Sequence, residues 1–191
     1  MDHLTRLLLD AQRGDGDALE RFVAATQHDV MALCRYLGDP DNADDLAQEA
    51  YQRAFASLHR YRATGPAKHW MLTIARRTCA DAARKRSRRR KLERRVGALA
   101  RDDRDDSVPV SDRSEVEALL HELDDDRRAA FVLTQLAGLR YEEAADMLGV
   151  PVGTIRSRVS RAREQLLSSL HAAEDAGSGE PKRRVGRPPS R

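Results

Sequence analysis

Aromatic residues are scarce, only 4% of the 191 residues with a single tryptophan, Trp70. Any core this chain builds must therefore be aliphatic, and several small helical units suit it better than one large core. Cysteine is nearly absent. Cys34 and Cys79 lie far apart, each on an apolar helical stripe, with no further Cys or His at zinc-ligand spacing. Core packing is expected of both, with no disulfide framework and no metal site. The opening residues 1–10 (MDHLTRLLLD) hold an apolar run too short and too charged for a signal peptide. No stretch approaches a membrane span, so the reading is cytoplasmic and reduced, without membrane insertion. Strand-like alternation and solenoid repeats are missing as well. The six histidines are scattered, and neither a nucleophile elbow nor a phosphate-binding glycine loop occurs. No catalytic residue, metal or cofactor is expected, and the chain is read as not an enzyme.

Charge is abundant, at 34% of residues, and the net charge of +3 conceals its segregation. Residues 84–95 are basic with only Glu93 opposing, residues 101–106 hold four aspartates, and residues 182–191 are basic without any acid. Such zoning points to polyanionic partners more strongly than the net figure does.

Apolar spacing of three and four predicts only helices. One runs from about Gly16 to Gly38 through Leu19, Phe22, Val23, Thr26, Val30, Leu33 and Cys34. A second carries Ala43, Leu46, Ala47, Ala50, Tyr51, Ala54 and Phe55, and its opposite face offers Asp44, Asp45, Gln48, Glu49 and Arg53. Spacing alone reads that face as solvated. Residues 61–68 form a loop around Gly65 and Pro66. A third helix follows through Trp70, Met71, Ile74, Ala75, Thr78, Cys79 and Ala82, and runs on into the basic stretch; Trp70 suits core packing or base stacking. Residues 97–113 lack periodicity and read as a linker. Ser114 and Glu117 match a capping box that opens a helix with Val116, Leu119, Leu120 and Leu123 inside, and another helix follows to Leu136.

Residues 139–170 then read as a helix-turn-helix. Tyr141, Ala144, Ala145 and Leu148 keep helical spacing, Gly149 stops the helix, and Pro151 suits the first turn of the next. That helix places Ile155, Val159, Ala162 and Leu166 on one face and Arg156, Arg158, Arg161 and Arg163 around the others, an arrangement suited to a DNA major groove. The fold class is all-α: two small helical domains joined by a flexible linker, the second with the helix-turn-helix.

Residues 42–51 (NADDLAQEAY), 69–81 (HWMLTIARRTCAD) and 148–163 (LGVPVGTIRSRVSRAR) stand in that order. Together they resemble the extracytoplasmic-function branch of the bacterial sigma-70 superfamily, subunits that direct RNA polymerase to promoters. The resemblance covers about residues 18–170. It implies residues 1–95 for core-polymerase binding and the minus-ten element, 96–113 as acidic linker and 114–173 for the minus-thirty-five element; residues 174–191, rich in Gly, Ser, Pro and basic residues, read from composition as a disordered tail. It implies that Asp44, Asp45, Gln48, Glu49 and Arg53 face the beta-prime clamp helices. Arg62, Thr64, Lys68, Trp70, Arg76, Arg77, Arg84 and Arg88 would meet the minus-ten element and hold a flipped base. Thr154, Arg156, Ser157, Arg158, Ser160, Arg161 and Arg163 would meet the minus-thirty-five element, with Arg158 and Arg163 assigned to phosphates or packing.

The implied partners are core polymerase, through its clamp helices and beta flap, promoter DNA and, as such factors often have, an anti-sigma factor. Aspartates 102–106 suit either a nucleic-acid channel of the polymerase or simple solubility. The tail is similar to an AT-hook through Arg183, Arg184, Gly186, Arg187 and Pro188, although Val185 stands where the usual core has arginine; a generic basic tail is the other reading. Arg77 departs from the asparagine of many relatives, and Ala137, Arg140 and Asp124 depart from an acid, a serine and a proline. A stand-alone helix-turn-helix regulator is the rival function, and it leaves the acidic face and the basic helix unexplained.

Overall fold

The computed structural model describes the backbone of residues 1–97 and 115–177, and the side chains of 1–92 and 115–172. The acidic linker and the AT-hook-like tail lie outside the described residues. Within them the chain is all helix and turn, in two modules. The first holds α1 (His3–Gln12), α2 (Gly16–Leu37), α3 (Ala43–Ser57) and α4 (Ala67–Gly97). The second holds α5 (Glu115–His121), α6 (Asp125–Phe131), α7 (Tyr141–Leu148) and α8 (Val152–Gly177). No described helix is long and apolar enough to cross a membrane.

Helix starts follow side-chain chemistry. The carboxylates of Asp2, Asp15 and Asp124 accept from the backbone N–H groups of Thr5, Ala18 and Arg127, which would otherwise go unsatisfied. In the first module α2 packs against α1, α3 and α4. Its core is aliphatic as composition demands: Leu8, Phe22, Val30, Leu33, Met71 and Leu72 are fully buried. Alanines 43, 47, 50 and 54 form the inner face of α3, and their small size lets the helices approach closely. The buried Thr26 hydroxyl donates to the Phe22 carbonyl at 2.8 Å and meets the Tyr51 hydroxyl at 2.8 Å, so this buried hydroxyl pair is satisfied. Cys34 and Cys79 are free, buried thiols with sulfurs 3.8 Å apart, in the packing role expected of them.

The second module packs α8 against α6 and α7. The helix anticipated through Leu136 changes pitch on the way. Val132–Leu136 is wound as a π-helix, with the Ala137 N–H donating to the Val132 carbonyl at 2.9 Å. One hydrophobic cluster runs through both modules, from Leu8 and Phe22 to Leu133, Ala144 and Ile155. A second joins Leu120, Leu123 and Ala162 to Tyr36 of α2.

Candidate nucleic-acid interface

The helix-turn-helix forms as its residues require. Glu143 accepts from the Arg140 backbone N–H at 2.8 Å and from its guanidinium at 3.0 Å, so a capping interaction survives without a serine at that position. Gly149 closes α7 with φ +67°, a left-handed conformation that costs a residue with a side chain about 1–2 kcal/mol. The Pro151 carbonyl then accepts from Thr154 N–H at 2.9 Å, which places Pro151 just ahead of α8 rather than inside its first turn.

Along α8, Ile155, Val159 and Ala162 are buried, while Arg156, Ser157, Ser160 and Arg161 are exposed on the opposite side. The other two arginines are occupied within the module. Arg158 pairs with Asp126 on α6, and Arg163 donates to the Gln135 side chain. Thr154 is half-buried at the helix start, where its carbonyl accepts from the Ser157 hydroxyl at 3.0 Å.

Four of the eight expected minus-ten residues, Arg62, Thr64, Trp70 and Arg77, line a cleft of about 660 Å³. Its first wall is the loop after α3 with the start of α4: Arg60, Arg62, Thr64, His69, Trp70 and Arg77 among others. Ala63 holds this loop in a left-handed turn at φ +51°, a conformation costly for a residue with a side chain. The Trp70 ring lies 5.1 Å from the Tyr61 ring, centroid to centroid, and remains half-buried, so packing and an open edge coexist. The opposite wall comes from the second module: Arg140, Glu142, Glu143 and Asp146.

Not every predicted cation faces the cleft. Lys68 pairs with Asp29 of α2 at 2.7 Å. Arg76 turns to the second module and donates to the Met147 carbonyl at 3.0 Å; burial, with the Arg77 and Arg84 charges, pulls its guanidinium below the ordinary pKa. Arg84 pairs with Asp81 at 2.6 Å. Arg84 and Arg88 ride on the outer half of α4, which has no apolar stripe; Leu92 there is 62% exposed. At 31 residues α4 is about 46 Å long, enough to carry this basic end past the bundle.

On α3, Asp44, Asp45, Gln48 and Glu49 form one exposed face. Arg53 is tied into it, bonding Glu49 at 2.6 Å and Asp81 of α4 at 2.8 Å. These two acids hold its pKa above the ordinary value.

Sequence reading missed α1, which supports the cleft. The Gln12 amide donates to the carbonyls of Leu58 and Tyr61 at 2.9 and 3.0 Å, and the Thr5 hydroxyl accepts from Ala67 N–H at 3.1 Å. These bonds fix both ends of the cleft loop. A polar pair on an amphipathic N-terminal helix carries no local signal of such a partner.

Among the described residues no group of three His, Cys, Asp or Glu side chains could hold a metal ion. Residues 22–89 match the family described as Sigma-70 region 2, and residues 113–166 match Sigma-70, region 4. The chain is 44% identical over 176 residues to the ECF RNA polymerase sigma factor SigC of Mycobacterium tuberculosis, covering 91% of this chain and 95% of that one. Among solved structures it resembles CnrH, solved in complex with the cytosolic domain of CnrY, with a TM-score of 0.67 at 26% identity over 90% of this chain and 99% of that one. It also resembles the sigma factor RpoE of Bartonella quintana, solved with the anti-sigma factor NepR, with a TM-score of 0.65 at 28% identity over 80% and 96% of the two chains.

Proposed function

The chain belongs to the extracytoplasmic-function branch of the sigma-70 family, and on that premise we propose how its surfaces divide the work of promoter recognition. As a sigma factor it binds core RNA polymerase and directs promoter-specific initiation. Sigma factors are initiation factors without enzymatic activity of their own; here the polymerase supplies the chemistry, in the cytoplasm. An anti-sigma factor is a fitting partner, given the complexes in which CnrH and RpoE were solved. A stand-alone regulator would use the helix-turn-helix but leave the match over residues 22–89 without a role.

The exposed acidic face of α3, Asp44, Asp45, Gln48 and Glu49, grips the clamp helices of the beta-prime subunit, with Arg53 holding Glu49 in place. The cleft formed by Arg62, Thr64, Trp70 and Arg77 takes an unstacked base of the minus-ten strand. Extruding that base costs a few kcal/mol, which stacking on Trp70 and cationic strand contacts offset. The basic outer half of α4, with Arg84 and Arg88, follows phosphates. Arg156, Ser157, Ser160 and Arg161 read the minus-thirty-five element in the major groove.

Residues 1–95 and 114–173 act as the two promoter-binding domains, with 96–113 as their tether. The observation that carries this reading is the separation of surfaces: one acidic exposed face on α3, one basic exposed face on α8 and a cleft between them in sequence. Adding the purified chain to sigma-free core polymerase should give transcripts from defined start sites. Asp44→Lys with Asp45→Lys should abolish polymerase binding yet leave minus-thirty-five duplex binding intact; promoter-specific transcription by that variant would refute the assignment. For the basic tail the proposal is minor-groove binding. Its removal should weaken binding to A·T-rich DNA more than to G·C-rich DNA, and an equal loss would refute specific recognition.

A further inference from the structure

Cys34 and Cys79 take no part in the surfaces that meet polymerase or DNA, yet they are not two isolated core residues. They face one another across the contact between α2 and α4, 45 residues apart in sequence, with the Cys79 thiol donating to the Cys34 sulfur at 3.8 Å. Both are free and almost completely buried. Gly38, which closes α2, leaves space beside them: a Cβ there would come within 3.3 Å of Cys79 Sγ. Bonded sulfurs lie about 2.05 Å apart, so each sulfur has only about 1 Å to travel from its place here. The contact between the thiols draws Cys79 below its ordinary pKa and, with burial, pushes Cys34 above it. Cys79 is therefore the residue that supplies a thiolate. The segment between the two cysteines is the working part of the first module. It holds α3 with Asp44, Asp45, Gln48 and Glu49, and the cleft residues Arg62, Thr64, Trp70 and Arg77. Arg77, two residues before Cys79, is exposed where Cys79 is buried, so the thiol pair lies on the other side of α4 from the cleft.

We propose that Cys34 and Cys79 form a reversible oxidation site: hydrogen peroxide or another hydroperoxide converts them to a disulfide that staples α2 to α4 and leaves the exposed surfaces of the first module unchanged. The Cys79 thiolate attacks the peroxide. An S–O bond forms, the O–O bond breaks, and the departing hydroxide takes up the proton that Cys79 released and leaves as water. The Cys34 sulfur then attacks the Cys79 sulfur. The S–S bond forms, the S–O bond breaks, and the hydroxide carries off the Cys34 proton as a second water. The peroxide is reduced and the two thiols are oxidised. Because both sulfurs are buried, the first step waits on brief partings of α2 and α4, which set its rate. The resolving sulfur is already in contact, so the sulfenic acid is consumed before a second peroxide reaches it. In a reducing cytoplasm the bond is transient, since thiol–disulfide exchange reopens it once the oxidant is spent.

The test exposes the full chain to hydrogen peroxide, stops the reaction with catalase and counts thiols in denaturant. Wild type should go from two titratable thiols to none while staying monomeric, with the Cys34 and Cys79 peptides linked in the mass spectrum. Dithiothreitol should restore both thiols. Closing a ring of about 45 residues should raise Tm by roughly 10 °C, a gain that dithiothreitol should abolish. Cys34→Ala and Cys79→Ala each remove one partner and should show no such rise. Wild type with and without dithiothreitol carries the comparison should either variant fold poorly. Urea below the unfolding transition should speed the oxidation, as gating by the α2–α4 contact requires. With core polymerase, oxidised and reduced wild type should give the same transcripts, and the oxidised chain should keep giving them after a heat step that inactivates the reduced one. Thiols that stay free at peroxide levels that oxidise cysteine in solution, that gain oxygen instead, or that pair between chains overturn the site. A disulfide that forms yet lowers Tm or silences transcription overturns the staple. Absence of transcripts from the reduced wild type counts against the sigma-factor reading, while the thiol count and Tm still decide the staple.

Discussion

Replacing the arginines of α8 one at a time separates base reading from scaffolding. Arg156 and Arg161 are exposed on the face opposite the buried Ile155, Val159 and Ala162. A bidentate contact from either to a guanine contributes about 1–3 kcal/mol of discrimination, so alanine should cost about 5–150-fold in preference for the cognate duplex. Neither change should move the thermal midpoint, because neither side chain supports the core. Arg158 behaves differently. Its side chain is 21% exposed and its partner Asp126 is 70% exposed, so solvent screening limits the pair to roughly 0.2–1 kcal/mol. For a chain of this size that is at most about 4 °C in Tm. Arg158→Ala should therefore lower Tm slightly and change base preference little; any role of its guanidinium at a phosphate would show as an equal weakening of all duplexes and a salt slope smaller by about one. The assay is an anisotropy titration against cognate and scrambled minus-thirty-five duplexes at fixed salt, paired with thermal unfolding by circular dichroism. Loss of discrimination in Arg158→Ala as large as in Arg156→Ala, at unchanged Tm, would refute the division of the helix into a reading face and a packed face.

Two further predictions concern the scaffold. A Cβ at Gly38 would lie 2.4 Å from the Cys34 carbonyl oxygen and 2.6 Å from Leu46 Cδ1, whereas one at Gly65 meets nothing within 4 Å. Gly38→Ala should lower the urea midpoint by an equivalent of about 1–3 kcal/mol at unchanged m-value, with Gly65→Ala as the near-neutral control; equal behaviour of the two would refute the close packing. Burial would raise the Glu143 carboxyl, but the Arg140 guanidinium and backbone N–H outweigh it and hold the pKa below its ordinary 4.5. A carboxyl depressed by folding stabilises fully above its unfolded pKa, and that contribution is lost as pH falls from about 4.5 through the folded value. Glu143→Gln should therefore flatten the acid side of the stability profile, and an unchanged slope in thermal melts below pH 5 would contradict the cap.

How far the sequence could be read depended on whether a residue's role was local. The turn of the helix-turn-helix was legible because Gly149 and Pro151 act on their own backbone, and the α3 stripe was legible because alanine spacing marks an inner face. Gly38 reads in sequence as a plain helix stop, and its contact with Leu46 has no local mark. The same limit applies to charge. Periodicity sorts Arg156 and Arg158 alike to the outside of α8; what separates them is Asp126, 32 residues away on another helix. The family resemblance groups Lys68, Arg76 and Arg84 with Arg62 and Arg77, yet Asp29, the Met147 carbonyl and Asp81 already hold them. For a cation of this kind, meeting a phosphate means giving up an internal acceptor. The exchange releases fewer counterions per arginine than a contact made from water. The salt dependence of promoter binding should accordingly fall short of what the count of basic residues implies. The shortfall measures how many of these internal pairs DNA has to break.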